Sequence, residues 1–162
     1  MKINMIDEEL IESFSDAVVF GELGKVIEMI SETPKLINAQ DKYGFTALHN
    51  VMCEEQMETI SFLITNGANL NIKNDQGISP IHLACYVENA ELLLNSGADI
   101  NQLDNQGNAP LHNQTSNGEE SQEVIEYLIA KGADKMLKNE DGQLPIDIAK
   151  MRSNTAIIEL LN

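Results

Sequence analysis

Apolar residues in this chain fall in short bursts at helical spacing, each closed by a Gly–Ala pair. Ile60, Leu63 and Ile64 lead into Gly67–Ala68, and Leu92, Leu93 and Leu94 lead into Gly97–Ala98. Val124, Ile125, Leu128 and Ile129 lead into Gly132–Ala133. Spacings of three and four residues predict one buried helical face, and glycine at the end supplies the left-handed cap. A second pattern precedes each burst. TALH stands at 46–49, SPIH at 79–82, APLH at 109–112 and LPID at 144–147, each two residues after a glycine (Gly44, Gly77, Gly107, Gly142). Three residues before each glycine is an Asp or Asn (Asp41, Asn74, Asp104, Asn139), the composition of a tight turn. Thr46 and Ser79 are good helix N-caps, and Pro80, Pro110 and Pro145 fit the first helical position, where a missing N–H costs nothing. The predicted unit is turn, helix, helix, loop.

The glycines recur every 30 to 35 residues. That period is the mark of a stacked repeat array, in which each unit buries its apolar face only against its neighbours. Because His49, His82 and His112 hold the same place in the phrase, the repeat absorbs every histidine of the chain. None is left over for a metal site or a catalytic triad.

These phrases together resemble the ankyrin-repeat family, whose unit reads D-x-x-G-x-T-P-L-H, a second helix with L-L-L, then G-A-x-x-N. The matching stretches are DKYGFTALHNVM…FLITNGANLN at 41–73, NDQGISPIHLAC…LLLNSGADIN at 74–103 and DNQGNAPLHNQT…YLIAKGAD at 104–138. AVVFGELGKVIEMISETPKLINAQ (17–40), with Gly21 between its helices, resembles an N-terminal capping repeat, and LPIDIAKMRSNTAIIELL resembles a C-terminal cap. The resemblance implies an all-α ankyrin solenoid, helix-turn-helix units joined by β-turn loops. It would form a single domain over 1–162 with repeats at about 5–40, 41–73, 74–103, 104–138 and 139–162. In some members of the family the Asn at the place of Asn71 and Asn101 is hydroxylated; a hydrogen-bonding loop role is the plainer expectation.

Departures from the family pattern stand out. Ala109 replaces the usual Thr or Ser, so one hydroxyl beside a histidine is missing, and Asp147 replaces the histidine in the last unit. The third unit is about three residues short between its helices (ACYVENAELLL), which points to a truncated first helix or a tighter loop. The fourth is about two residues long there, with SNGEESQE at 116–123, and Gln114–Thr115 fills a slot that is normally small and apolar. A changed loop in a regular array is a place to read a partner, or neutral drift on a surface.

Composition and charge narrow the function. The 162 residues and a 43 % hydrophobic fraction suffice for a sizeable core. The N-terminal MKINMIDEELIESF has no signal-like apolar segment and no run reaches the length of a membrane span, so the expectation is a cytoplasmic chain. Cys53 and Cys85 lie outside any metal-binding or CxxC spacing and are one residue apart in repeat phase, so they are expected to be reduced and at or near the core. The seven methionines read as core filling. No phosphate-binding loop, nucleophile motif or desolvated carboxylate pair is present in the sequence, so neither an enzyme nor a cofactor is expected. Net charge is −16, unevenly spread: residues 43–130 carry twelve acids against one base, Lys73, while 131–162 carry five of each. Such a field repels nucleic acid and acidic lipid and steers a basic protein inward; it also serves solubility.

The family resemblance implies that partners are gripped by the turn tips and the exposed side of the first helices, a concave face. By position the tips offer Lys42, Tyr43 and Phe45, then Asp75, Gln76 and Ile78, then Asn105, Gln106 and Asn108. The first helices offer Cys53 and Glu54, Tyr86 and Val87, and Ser116 and Asn117. Tyr43 and Phe45 flank the glycine of a tip, where they either meet a partner or pack onto the next turn. The expected function is a monomeric module that binds and inhibits or sequesters one basic protein, as an immunity protein does. A general adaptor or effector is the alternative, and redox chemistry at Cys53 or Cys85 a distant third.

Overall fold

The computed structural model describes residues 6–118 and 121–162. Among them are nine α-helices and no strand. The helices come in pairs, as the apolar bursts require. α1 (Glu8–Val19) pairs with α2 (Leu23–Glu32), and α3 (Ala47–Asn50), extended by a 3₁₀ turn at Val51–Cys53, pairs with α4 (Met57–Thr65). In the third pair a 3₁₀ turn alone, Pro80–Leu83, precedes α5 (Val87–Asn95). α6 (Pro110–Asn117) pairs with α7 (Gln122–Ala130), and α8 (Pro145–Met151) with α9 (Thr155–Leu161). First helices stack on first helices, from α1 through α3 and the Pro80 turn to α6 and α8; second helices stack from α2 through α4, α5 and α7 to α9. Between the two layers runs one continuous core, including Phe14, Leu48, Ile60, Leu93, Leu111, Ile125 and Ile157.

Backbone and side-chain hydrogen bonds at the tips explain the recurring Asx and Gly. Asp41 Oδ1 accepts from the N–H groups of Tyr43 and Phe45 at 2.8 and 2.9 Å, and Asn74 Oδ1 and Asp104 Oδ1 do the same in their own turns. Successive tips are tied to each other: Asp75 N donates to Tyr43 O, Asn105 N to Gln76 O and Glu140 N to Gln106 O. At Gly44, with φ of 82°, a Cβ would stand 2.8 Å from Asp75 N, so both the left-handed backbone and the close approach demand glycine. Lower in the loops, Asn71 Oδ1 accepts from Asp99 N and Asn101 Oδ1 from Asp134 N, both at 2.9 Å. Each of these asparagines links one loop to the next.

The histidines work in the same way. The Nδ1 atoms of His49, His82 and His112 accept the N–H of the residue three earlier, at 3.1, 3.2 and 3.2 Å. That leaves the proton on Nε2, which donates across to the next unit, to Ile78 O, Asn108 O and Gln143 O. Thr46 and Ser79 add their hydroxyls to Nδ1 at 2.8 Å, and Ala109 has none to add. In the last unit Asp147 Oδ2 takes over the acceptor role towards Leu144 N at 3.0 Å. Burial pushes all three imidazoles below their ordinary pKa.

One expectation is corrected, and one pair of alternatives is decided. Cys53 and Cys85 are not free, reduced core thiols: they form a disulfide with Cα atoms 4.8 Å apart, Cys53 exposed and Cys85 half-buried. Stacking puts residues of equal phase side by side, and the shortened third unit absorbs the one-residue offset. Cys85 N donates to Met52 O at 3.1 Å, which holds the two chains at that spacing. The missing residues of the third unit come out of its first helix, which is reduced to the 3₁₀ turn.

Candidate functional site

Eight of the fifteen residues singled out in the sequence meet in one groove. Asp75, Gln76, Ile78, Asn105, Gln106, Asn108, Ser116 and Asn117 line a recess of about 510 Å³ between the second and third turn tips and α6. The tips reach it because Asn74 and Asp104 fold the turns and the backbone ladder keeps them side by side; α6 reaches it because its full length survives in the fourth pair. Asp104 and Asn113 complete the lining. The sequence marked Asp104 only as a turn residue and did not mark Asn113 at all. Asn113 was within reach, since it precedes Ser116 by three residues on the same helix and so shares its face. Amides outnumber carboxylates in this groove, and only Asp75 and Asp104 bring negative charge.

Phe45 belongs to a neighbouring recess of about 220 Å³, with Ile11, Glu12, Ser15, Asp16, Asp41, Ala47 and Asn50. Its ring packs edge-on against His49 at a centroid distance of 5.7 Å, so Phe45 supports the stack as well as lining that recess. Tyr43 is 59 % exposed at its tip, and the Lys42 ammonium lies 5.2 Å from its ring centre. The attraction between the ammonium and the ring face holds the two side chains together at the tip.

The other four residues lie elsewhere. Cys53 is held in the disulfide, and Val87 is half-buried against the core. Glu54 offers its backbone carbonyl to Asn89 Nδ2 at 3.0 Å. Tyr86 is exposed at the edge where first helices turn into second helices, in a recess shared with Glu55, Met57, Glu88, Asn89 and Glu123. The truncated third unit is the reason: its short first helix cannot carry Tyr86 and Val87 onto the face that α6 presents. Among the described residues no group of three or more His, Cys, Asp or Glu side chains is placed to hold a metal ion, and no helix is long and apolar enough to cross a membrane.

Comparison with known proteins agrees with this architecture. The family model for ankyrin repeats (three copies) matches residues 14–104 and 88–162. A probable 26S proteasome regulatory subunit of Saccharomyces cerevisiae is 31 % identical over 158 residues, covering 90 % of this chain and 66 % of that protein. Protein phosphatase 1 regulatory subunit 27 of Mus musculus is 37 % identical over 135 residues, covering 83 % of this chain and 67 % of its own. The RelA-associated inhibitor of Mus musculus matches over a shorter stretch, 36 % identical across 43 % of this chain and 8 % of its own length. The chain thus spans about two thirds of the first two relatives and a small part of the third. With its repeating turns, its two helical layers and these matches, the chain belongs to the ankyrin-repeat family.

Proposed function

We propose that this chain is a non-enzymatic protein-binding module that grips a basic protein in the groove between its turn tips and first helices, and by occupying that protein inhibits or sequesters it. The observation that carries the reading is the convergence of tip and helix residues on one recess of about 510 Å³, in a stretch whose sole base is Lys73. Ankyrin surfaces bind unrelated proteins, so the fold alone names no ligand. Charge is what favours a basic one, by raising the rate of encounter. The reading takes residues 1–162 as one ankyrin domain, monomeric and cytoplasmic, with no nucleic-acid, membrane or cofactor partner. In a reducing cytoplasm Cys53 and Cys85 would stand as a dithiol.

A general adaptor is the second reading. It is favoured by the relatives, two of which are named as regulatory subunits.

Affinity capture from the native lysate at low and high salt, with mass spectrometry of the bound fraction, tests the two. One basic protein retained at low salt and released by salt supports the inhibitor reading. Its affinity for the purified chain should then drop by about tenfold or more when Gln106→Lys and Asn117→Lys cancel the two negative charges of the groove. Several unrelated proteins, or a partner indifferent to those substitutions, would shift the assignment to the adaptor.

A further inference from the structure

The single 3₁₀ turn of the third unit ends in three consecutive carbonyls, His82 O, Leu83 O and Ala84 O. Gln114 Nε2 donates to the first and the last of them. Leu83 O receives no backbone N–H among the described residues. What faces it is sulfur, Cys53 Sγ at 3.4 Å and Cys85 Sγ at 3.5 Å. A disulfide has no hydrogen to give that carbonyl, whereas a pair of thiols has two. The oxidised pair is held by its covalent bond, and the reduced pair finds an acceptor already in place.

The backbone around the pair is likewise held without help from sulfur. Cys85 N donates to Met52 O at 3.1 Å, and Asn89 Nδ2 donates to Met52 O and Glu54 O at 3.0 Å. These bonds tie residues 52–54 to 85–89 whatever the state of the cysteines. They set the Cα atoms 4.8 Å apart, inside the roughly 4.4–6.8 Å that disulfides span. Neither making nor breaking the bond therefore calls for a movement of the chain. Access is graded: Cys53 is exposed and Cys85 half-buried, so a small reagent reaches Cys53 first and Cys85 second.

We infer that Cys53 and Cys85 form a reversible thiol–disulfide site, oxidised by a low-molecular-weight disulfide, that staples the second unit to the third. With oxidised glutathione as the oxidant, the Cys53 thiolate attacks one sulfur and one glutathione thiolate leaves. The Cys85 thiolate then attacks Cys53 Sγ and expels the second. Two electrons pass from the cysteines to glutathione, and the two protons the cysteines give up end on the two glutathione thiols. Excess reduced glutathione runs the same steps backwards. The cysteines are 32 residues apart, so the bond limits how far the two units separate when their interface opens. The inference goes beyond the binding role and needs no partner for its test.

The test equilibrates the purified chain with glutathione over a series of ratios from fully reduced to fully oxidised. Acid quenching, alkylation of free thiols and mass spectrometry then count the forms. The chain should pass from dithiol to internal disulfide across the series, complete at both ends. Dithiol persisting in oxidised glutathione alone, disulfide persisting in reduced glutathione alone, or a lasting Cys53–glutathione adduct would overturn the inference. Hydrogen exchange of the two end states reads the staple. The N–H groups of Cys85 and Asp75, which donate to Met52 O and Tyr43 O across the stapled interface, should exchange about tenfold faster or more in the reduced chain. Glu140 N–H, which donates to Gln106 O across the last interface, should stay within about twofold. Equal rates at Cys85 in the two states, or the same acceleration at Glu140, would equally sink a local staple. Cys53→Ser should exchange like the reduced chain in both buffers, and the unaltered chain decides alone if that variant does not fold.

Discussion

Each histidine in this array is a two-ended brace, and its protonation state is fixed by the backbone. Nδ1 must accept, because an N–H points at it, and Nε2 must donate, because a carbonyl of the next unit faces it. An imidazolium cannot do the first. With burial added, the folded pKa lies below that of the unfolded chain, so unfolding takes up protons. The consequence is directional. Stability from these groups is fully present above about pH 6.5 and is lost as pH falls below it, by at most about 1.4 kcal/mol per histidine per pH unit until the folded imidazoles themselves protonate. An NMR titration of the three rings checks this directly: each should titrate below 6.5 in the folded protein, and a ring titrating at or above that value would refute the brace. The repeat phrase showed in sequence that the histidines were structural. The identity of their partners, 26 to 31 residues away, needed the stack.

At the scale of elements, the short first helix of the third pair has consequences for its neighbours on both sides. A full α-helix would satisfy its own carbonyls; a single 3₁₀ turn leaves some open. Gln114 from α6 reaches back to close two of them, its Nε2 donating to His82 O and Ala84 O at 3.1 Å while wholly buried. Asn89 does the equivalent for Met52 O and Glu54 O. Gln114 looked out of place in the sequence, a long polar residue in a slot meant for a small apolar one, and the structure gives the reason. Gln114→Ala removes both bonds inside the core and should cost about 2 kcal/mol or more, read as a lower denaturant midpoint at unchanged slope. Gln122→Ala, which loses a surface bond to Glu126, should stay within about 0.5 kcal/mol. Equal costs for the two would mean that the carbonyls find other donors. The Cys53–Cys85 link belongs to the same local rearrangement, since the offset that hid it in the sequence is the one the missing turn removes.

For the whole molecule, the stack sets where the charge lies. The twelve acids and single base of residues 43–130 were legible at once, but not their sides. The groove at the tips is lined mostly by amides, whereas Glu55, Glu88 and Glu123 gather at the inter-helix edge. A basic partner of the kind proposed would therefore meet more carboxylates at the inter-helix edge than in the groove itself. Glu54→Lys with Glu88→Lys should slow association with such a partner by about tenfold at low salt and leave the melting temperature within a few degrees. Stopped-flow on-rates across a salt series would show it, and an on-rate unaffected at low salt would mean that the acidity serves solubility alone.

What the sequence determined is whatever depends on neighbours within one unit: the Asx–Gly turn, the capped start of each first helix, the helical spacing of the second, and from their recurrence the family. Local chemistry writes these features the same way four times over. What the tertiary structure alone decided depends on residues a full unit apart. The pairing of Cys53 with Cys85, the buried amides of Gln114 and Asn89, the gathering of eight tip and helix residues in one groove and the departure of Tyr86 to another all follow from how a short unit stacks between two longer ones. Spacing along the chain gives the period of a stack; only its packing shows where an irregular unit displaces its neighbours.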